Sequence, residues 1–82
     1  MHEWLEQARK RLAASVGEEP SAFDLSQRDS DEVLELARVA AHESGERVNA
    51  PLLAYLVGLA HGRHPGRDLS SLVDDAVDRH EG

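Results

Sequence analysis

The stretch that decides the fold is Pro51-Leu-Leu-Ala-Tyr-Leu-Val-Gly-Leu-Ala60. Ten residues pass without a formal charge in a chain that is 30% charged. A helix that is apolar on most sides belongs in the middle of a fold. This segment is therefore expected to be a central, nearly enclosed rod wrapped by its neighbours. Pro51 suits the first turn of a helix, where a missing N–H costs nothing. The helix is expected to end near Gly62. Gly58 costs roughly 1 kcal/mol of helix propensity against Ala. Close packing on an Ala-rich face such as Ala37, Ala40 and Ala41 is the expected compensation.

Three further helices follow outward from this rod. Upstream, Asp31 to Ser44 has Asp29 or Ser30 as its expected N-cap. Val33, Leu36, Ala37 and Ala40 form its apolar stripe, widened by Leu34 and Ala41, and Gly45 is the expected stop. Downstream, Pro65-Gly66 forces a turn. Asp68 then caps a helix running to about His80, with Leu69, Leu72, Val73, Ala76 and Val77 at helical spacing. The N-terminal helix, from about His2 to Val16, places Trp4, Leu5, Ala8, Leu12 and Val16 on one side and ends at Gly17. Residues 17–29 read as a loop, with Phe23 and Leu25 tucked onto the core. The expected fold is all-α: one compact four-helix domain over residues 1–82, with a long first connection and a central apolar third helix.

Eighty-two residues give one domain with one core, which buries only about 60–65% of the unfolded surface. Oligomerisation or docking on a partner would add stability. The chain has no cysteine, so disulfides and thiolate metal sites are excluded. No signal peptide is visible, and a reducing, cytoplasmic setting is expected. The longest apolar run is too short to span a bilayer. A net charge of −7 argues against nucleic acid, which needs a basic footprint. That charge is uneven. Residues 17–32 hold six acids against one Arg, and residues 68–82 hold five acids against one Arg. Residues 61–67, His-Gly-Arg-His-Pro-Gly-Arg, carry two Arg and no acid.

Several groupings bear on chemistry. His61 and His64 are three residues apart, as metal ligands on one helix face would be. Gly62 and Pro65 put His64 at or past the helix end, and no third ligand stands at a diagnostic spacing. No metal or other cofactor is expected. Arg63 and Arg67 offer planar, bidentate donors to an anion. They equally neutralise the acidic fourth helix. Arg38 and His42 lie one turn apart, with Arg47 soon after, and could converge on a ligand or a partner's carboxylate. Glu35 and Glu43 offer them surface pairs of small worth. Asp74, Asp75 and Asp78 lie on a helix rather than in a calcium-binding loop. No hydroxyl stands in a nucleophile elbow. Asp29-Ser30 before a helix also suits an acyl-carrier-like protein bearing phosphopantetheine on Ser30. The following Asp31, where carriers usually have Leu, departs from that pattern.

Leu36-Ala-Arg-Val-Ala-Ala-His-Glu-Ser-Gly-Glu-Arg47, followed by Ala50-Pro-Leu-Leu-Ala-Tyr-Leu-Val-Gly-Leu-Ala-His-Gly62, resembles a small actinobacterial helical domain family of unknown function. In that family an LARxxAH helix precedes an APL…LxGxAxG helix. Its members occur alone or beside, sometimes fused to, molybdenum-cofactor guanylyltransferase-like proteins. Trp4-Leu5 also fits, while residues 44–49 depart from the family's proline-containing turn. Arg38 and His42 are the two polar matches. The resemblance implies a role beside molybdenum-cofactor (molybdopterin guanine dinucleotide) biosynthesis but no particular activity. The expectation is a non-catalytic accessory domain. It would dock to a protein or an anionic pterin-like ligand through Arg38, His42 and Arg47 or through Arg63 and Arg67. A two-fold homodimer through apolar groups of the third helix is also compatible with the sequence.

Overall fold

A computed structural model describes residues 2–77. Its elements in order are α1 (Glu3–Val16), a single 3-10 turn (Pro20–Phe23), α2 (Gln27–Ser44), α3 (Asn49–Arg63) and α4 (Leu69–Ala76). The described residues contain no strand. The all-α, four-helix architecture with a long first connection is thus as the sequence implies.

Local chemistry sets the helix ends. Gly17 and Gly45 both adopt φ of 74°, the left-handed conformation that terminates α1 and α2. Their N–H groups return to carbonyls of the last turns, from Gly45 to the Ala41 oxygen at 3.0 Å. The start of α2 differs from the expected one. Ser26, rather than Asp29 or Ser30, is the N-cap, its Oγ accepting from the Asp29 N–H at 3.0 Å. Starting there adds a turn, which the Gln27–Asp31 side-chain hydrogen bond of 2.9 Å supports. α3 begins at Asn49, so Pro51 still falls in the first turn, where its missing N–H is not needed. α4 stops short of the expected end near His80. Val77 is already extended, with φ −133° and ψ 155°, and turns its side chain into the core. His80 lies outside the described residues.

The core is made by α2, α3 and α4. Leu36 and Val73 are fully enclosed, joined by Val39, Ala40, Val57 and Val77, with Leu53, Ala54, Leu69 and Leu72 packed against them. α2 and α3 form a helical hairpin across the short 45–48 connection, and α4 packs on both. α1 packs on the 3-10 turn instead, with Ala13 enclosed, and the whole measures 42 × 27 × 19 Å.

This arrangement overturns the expected enclosure of α3. Val57 is its one buried residue, whereas Leu52, Tyr55, Leu56 and Leu59 are 62, 66, 57 and 44% exposed. The physical reason is a shortage of neighbours. α2 and α4 cover one side of α3, and α1 is held to the connection that follows it rather than laid along α3. α2 supplies three of the six core residues, Leu36, Val39 and Ala40, and α3 one. Gly58 is a second correction. A Cβ there meets nothing within 4 Å, so the glycine is not pressed against Ala37, Ala40 or Ala41.

Candidate functional site

The apolar stripe of α1 faces a groove rather than a core. Leu5, Ala8 and Leu12 form one wall, Phe23 and Leu25 of the connection another, and Gly58, His61 and Gly62 of α3 the floor. The groove encloses about 600 Å³. A shallower cleft of about 570 Å³ adjoins it, sharing Leu12, Phe23, Gly58 and Gly62 and adding Tyr55, Leu59 and Arg63. The two glycines stand one turn apart, so their missing side chains open this floor. Phe23 and Leu25, expected to tuck onto the core, line the groove instead.

Arg9 holds the groove wall in place. From α1 it donates to the Pro20 carbonyl oxygen, to the Glu6 carboxylate and, at 3.3 Å, to Asp24 Oδ1. It thereby ties both ends of the 3-10 turn to α1. The hydrogen bond from Arg9 lowers the Glu6 pKa below its ordinary 4.5, and the same bond raises that of Arg9. The sequence reading missed Arg9 as a latch. Its only local signal was the i, i+3 spacing from Glu6.

The five cationic candidates do not share a pocket. Arg38, His42 and Arg47 belong to the C-terminal half of α2 and the turn after it. Arg63 and Arg67 lie at the far end of α3, whose helix spans about 21 Å between the turn that holds Arg47 and Arg63. Arg38 makes a fork-like pair with Glu35, at 3.1 Å from Nε and 2.7 Å from Nη2, and this bond raises its pKa. His42 and Arg47 are exposed. Arg67 turns back onto α4, donating to Ser71 Oγ at 2.7 Å and Asp75 Oδ2 at 2.9 Å. It therefore neutralises the acidic fourth helix, as one of the two sequence readings held. Arg63 is exposed at the edge of the shallower cleft.

Among the described residues, no three His, Cys, Asp or Glu side chains are grouped so as to hold a metal ion. Ser30 sits inside the first turn of α2, half-buried, its N–H bonded to the Ser26 oxygen at 2.9 Å. No described helix is long and apolar enough to cross a membrane.

No curated protein and no solved structure matches this sequence. A family match does cover it, from residue 1 to residue 82. The chain belongs to the family described as Domain of unknown function (DUF6457).

Proposed function

We propose that this chain is a non-catalytic interaction domain that captures a segment of a partner protein in the groove between α1, the 3-10 turn and α3. The observation that carries this is the groove itself. Its walls are apolar, glycines form its floor, and Arg63 stands at the edge of the adjoining cleft in the acid-free 61–67 loop. Apolar walls supply the driving force for burying a partner's side chains. The exposed guanidinium of Arg63 favours a partner with a carboxylate beside its apolar anchor.

A protein fits better than a small anionic ligand. Arg47 and Arg63, at opposite ends of α3, are separated by roughly 21 Å of helix, a long span for one small molecule. Arg38, His42 and Arg47 would make a second contact, on the far side of the same partner. The resemblance of residues 36–62 to domains found beside molybdenum-cofactor guanylyltransferase-like proteins supports such a protein as the partner and a cytoplasmic setting.

Co-expression with a guanylyltransferase-like protein, followed by affinity capture, tests this. Gly58→Leu should fill the groove without entering the core, since a Cβ there meets open space. Arg63→Glu should reverse the charge at its edge. Both are expected to reduce co-purification strongly while circular dichroism stays helical. Capture that is unchanged in both variants would refute the groove as the docking site. Arg38→Glu measures the second contact independently.

A further inference from the structure

Beyond partner capture, we propose that two copies of this chain pair through the outer face of α3, antiparallel about a two-fold axis between Tyr55 and Leu56. Four observations carry this. First, the exposed apolar residues of α3 are Leu52, Tyr55, Leu56 and Leu59, spaced three, one and three apart. That spacing reads the same in both directions. When a helix packs antiparallel on its own copy about a point between residues 55 and 56, Leu52 meets Leu59 and Tyr55 meets Leu56. Every apolar group on the stripe then has an apolar partner, as an isologous interface requires.

Second, the face itself carries no formal charge. No Asp, Glu, Lys or Arg occurs between Arg47 and Arg63. The same alignment brings the 46–48 turn of one copy beside the 63–65 segment of the other. Glu46 of each copy then lies near Arg63 of its mate, at the solvated rim.

Third, the stripe supplies the centre of an interface. Leu52, Tyr55, Leu56 and Leu59 together expose roughly 430 Å², about half of the ~800 Å² that a standard interface takes from each partner, and Leu12 and Phe23 extend the patch at its edge. They are contiguous, because Leu12, Phe23, Tyr55 and Leu59 line one cleft. Fourth, the monomer core is thin. Among the described residues its enclosed apolar side chains are Ala, Val and a single Leu, and domains this small commonly gain stability by association.

The chain lacks cysteine, so single engineered thiols report the geometry directly. Leu52→Cys and Leu59→Cys proteins, mixed and oxidised, should give a disulfide-linked dimer containing one of each. Leu52→Cys alone should not cross-link. Its two copies would be separated by about 10 Å along the axis, beyond disulfide reach. Sedimentation of the full chain should show a monomer–dimer equilibrium that persists or tightens as salt is raised, because each copy carries a charge of −7. Leu56→Glu should weaken dimerisation by at least about tenfold, since it buries a charge at the centre. Leu34→Glu, at an exposed position on α2, should leave it unchanged. A monomer at every concentration, or homotypic cross-linking of Leu52→Cys without the mixed product, would overturn the proposal. These readings need no other protein, so they stand or fall separately from partner capture.

Discussion

Leu36 and Leu52 are both helical leucines, and replacing each by Ala separates this architecture from one centred on α3. Leu36 is fully enclosed among Val39, Ala40, Val57 and Val73, so Leu36→Ala removes its transfer energy and leaves a cavity. Such changes cost about 2–5 kcal/mol, and about 3 is expected here. A chain of this length has a total stability of about 4–12 kcal/mol, so the loss is a large share of it. In a domain of this size each kcal/mol moves Tm by roughly 4–8 °C, giving a fall of about 12–24 °C. Leu52 is 62% exposed, so truncation withdraws only the covered minority of its side chain. Leu52→Ala should therefore cost less than about 1 kcal/mol, partly offset by the better helix propensity of Ala. The assay is thermal and urea unfolding followed by circular dichroism. It is run at dilutions where sedimentation shows a monomer, so that association does not add to the Leu52 effect. Equal losses for the two variants would refute the placement of α3 at the edge of the core.

Gly58→Ala should stabilise the monomer by about 0.5–1 kcal/mol, because the helix gains propensity and the new Cβ meets nothing; a urea midpoint that falls would show a tight contact there. Ser26→Ala should cost about 1 kcal/mol through the lost cap, while Ser30→Ala should cost less, and the same urea titrations rank the two. Arg9→Met should loosen the connection between α1 and α2, read as faster cleavage after Glu18 by a Glu-specific protease, with unchanged cleavage contradicting the latch. The folded-state pKa of Glu6 is held below 4.5 by Arg9, so its contribution is complete above that value and is lost as pH falls through the lowered one. The Tm difference between the natural protein and Glu6→Gln should therefore shrink as pH falls below 4.5, and a difference that grows there would reverse the assignment.

Helix number and order, and the stops of α1, α2 and α3, were legible because they rest on local signals. Gly17 and Gly45 end α1 and α2 through the left-handed conformation, and Pro65-Gly66 separates α3 from α4. The N-terminus of α2 was misplaced because three candidate caps stand within five residues. Ser26 wins by reaching the Asp29 N–H, a competition that composition does not reveal. Burial was less legible. On α2 the expected stripe included Leu34, which is exposed, and omitted Val39, which is buried. A helix with apolar residues over half its circumference has several possible inward faces, and the neighbours choose among them. Of the five site candidates, the split between the two ends of α3 follows from helix length alone. The pairing of Arg67 with Asp75 depends on how the loop folds back onto α4.

The misjudged enclosure of α3 and the proposed functions have one physical origin. An uninterrupted apolar helix must be covered by something. In a chain of this length the available cover is α2 and α4, and their side of α3 is already filled by Leu53, Ala54 and Val57. α1 has apolar surface to offer, but Arg9 binds it to Pro20 and Asp24, which keeps it standing off as a groove wall. If α1 collapsed onto α3, the groove would close and the stripe beside it would narrow. The latch therefore maintains both apolar surfaces at the expense of the core. This makes Arg9 a test of the whole arrangement. Arg9→Met should raise protease sensitivity and weaken partner capture together, because one loosened wall underlies both. Self-association through Leu52 and Leu56, which lie outside the groove, should survive the change.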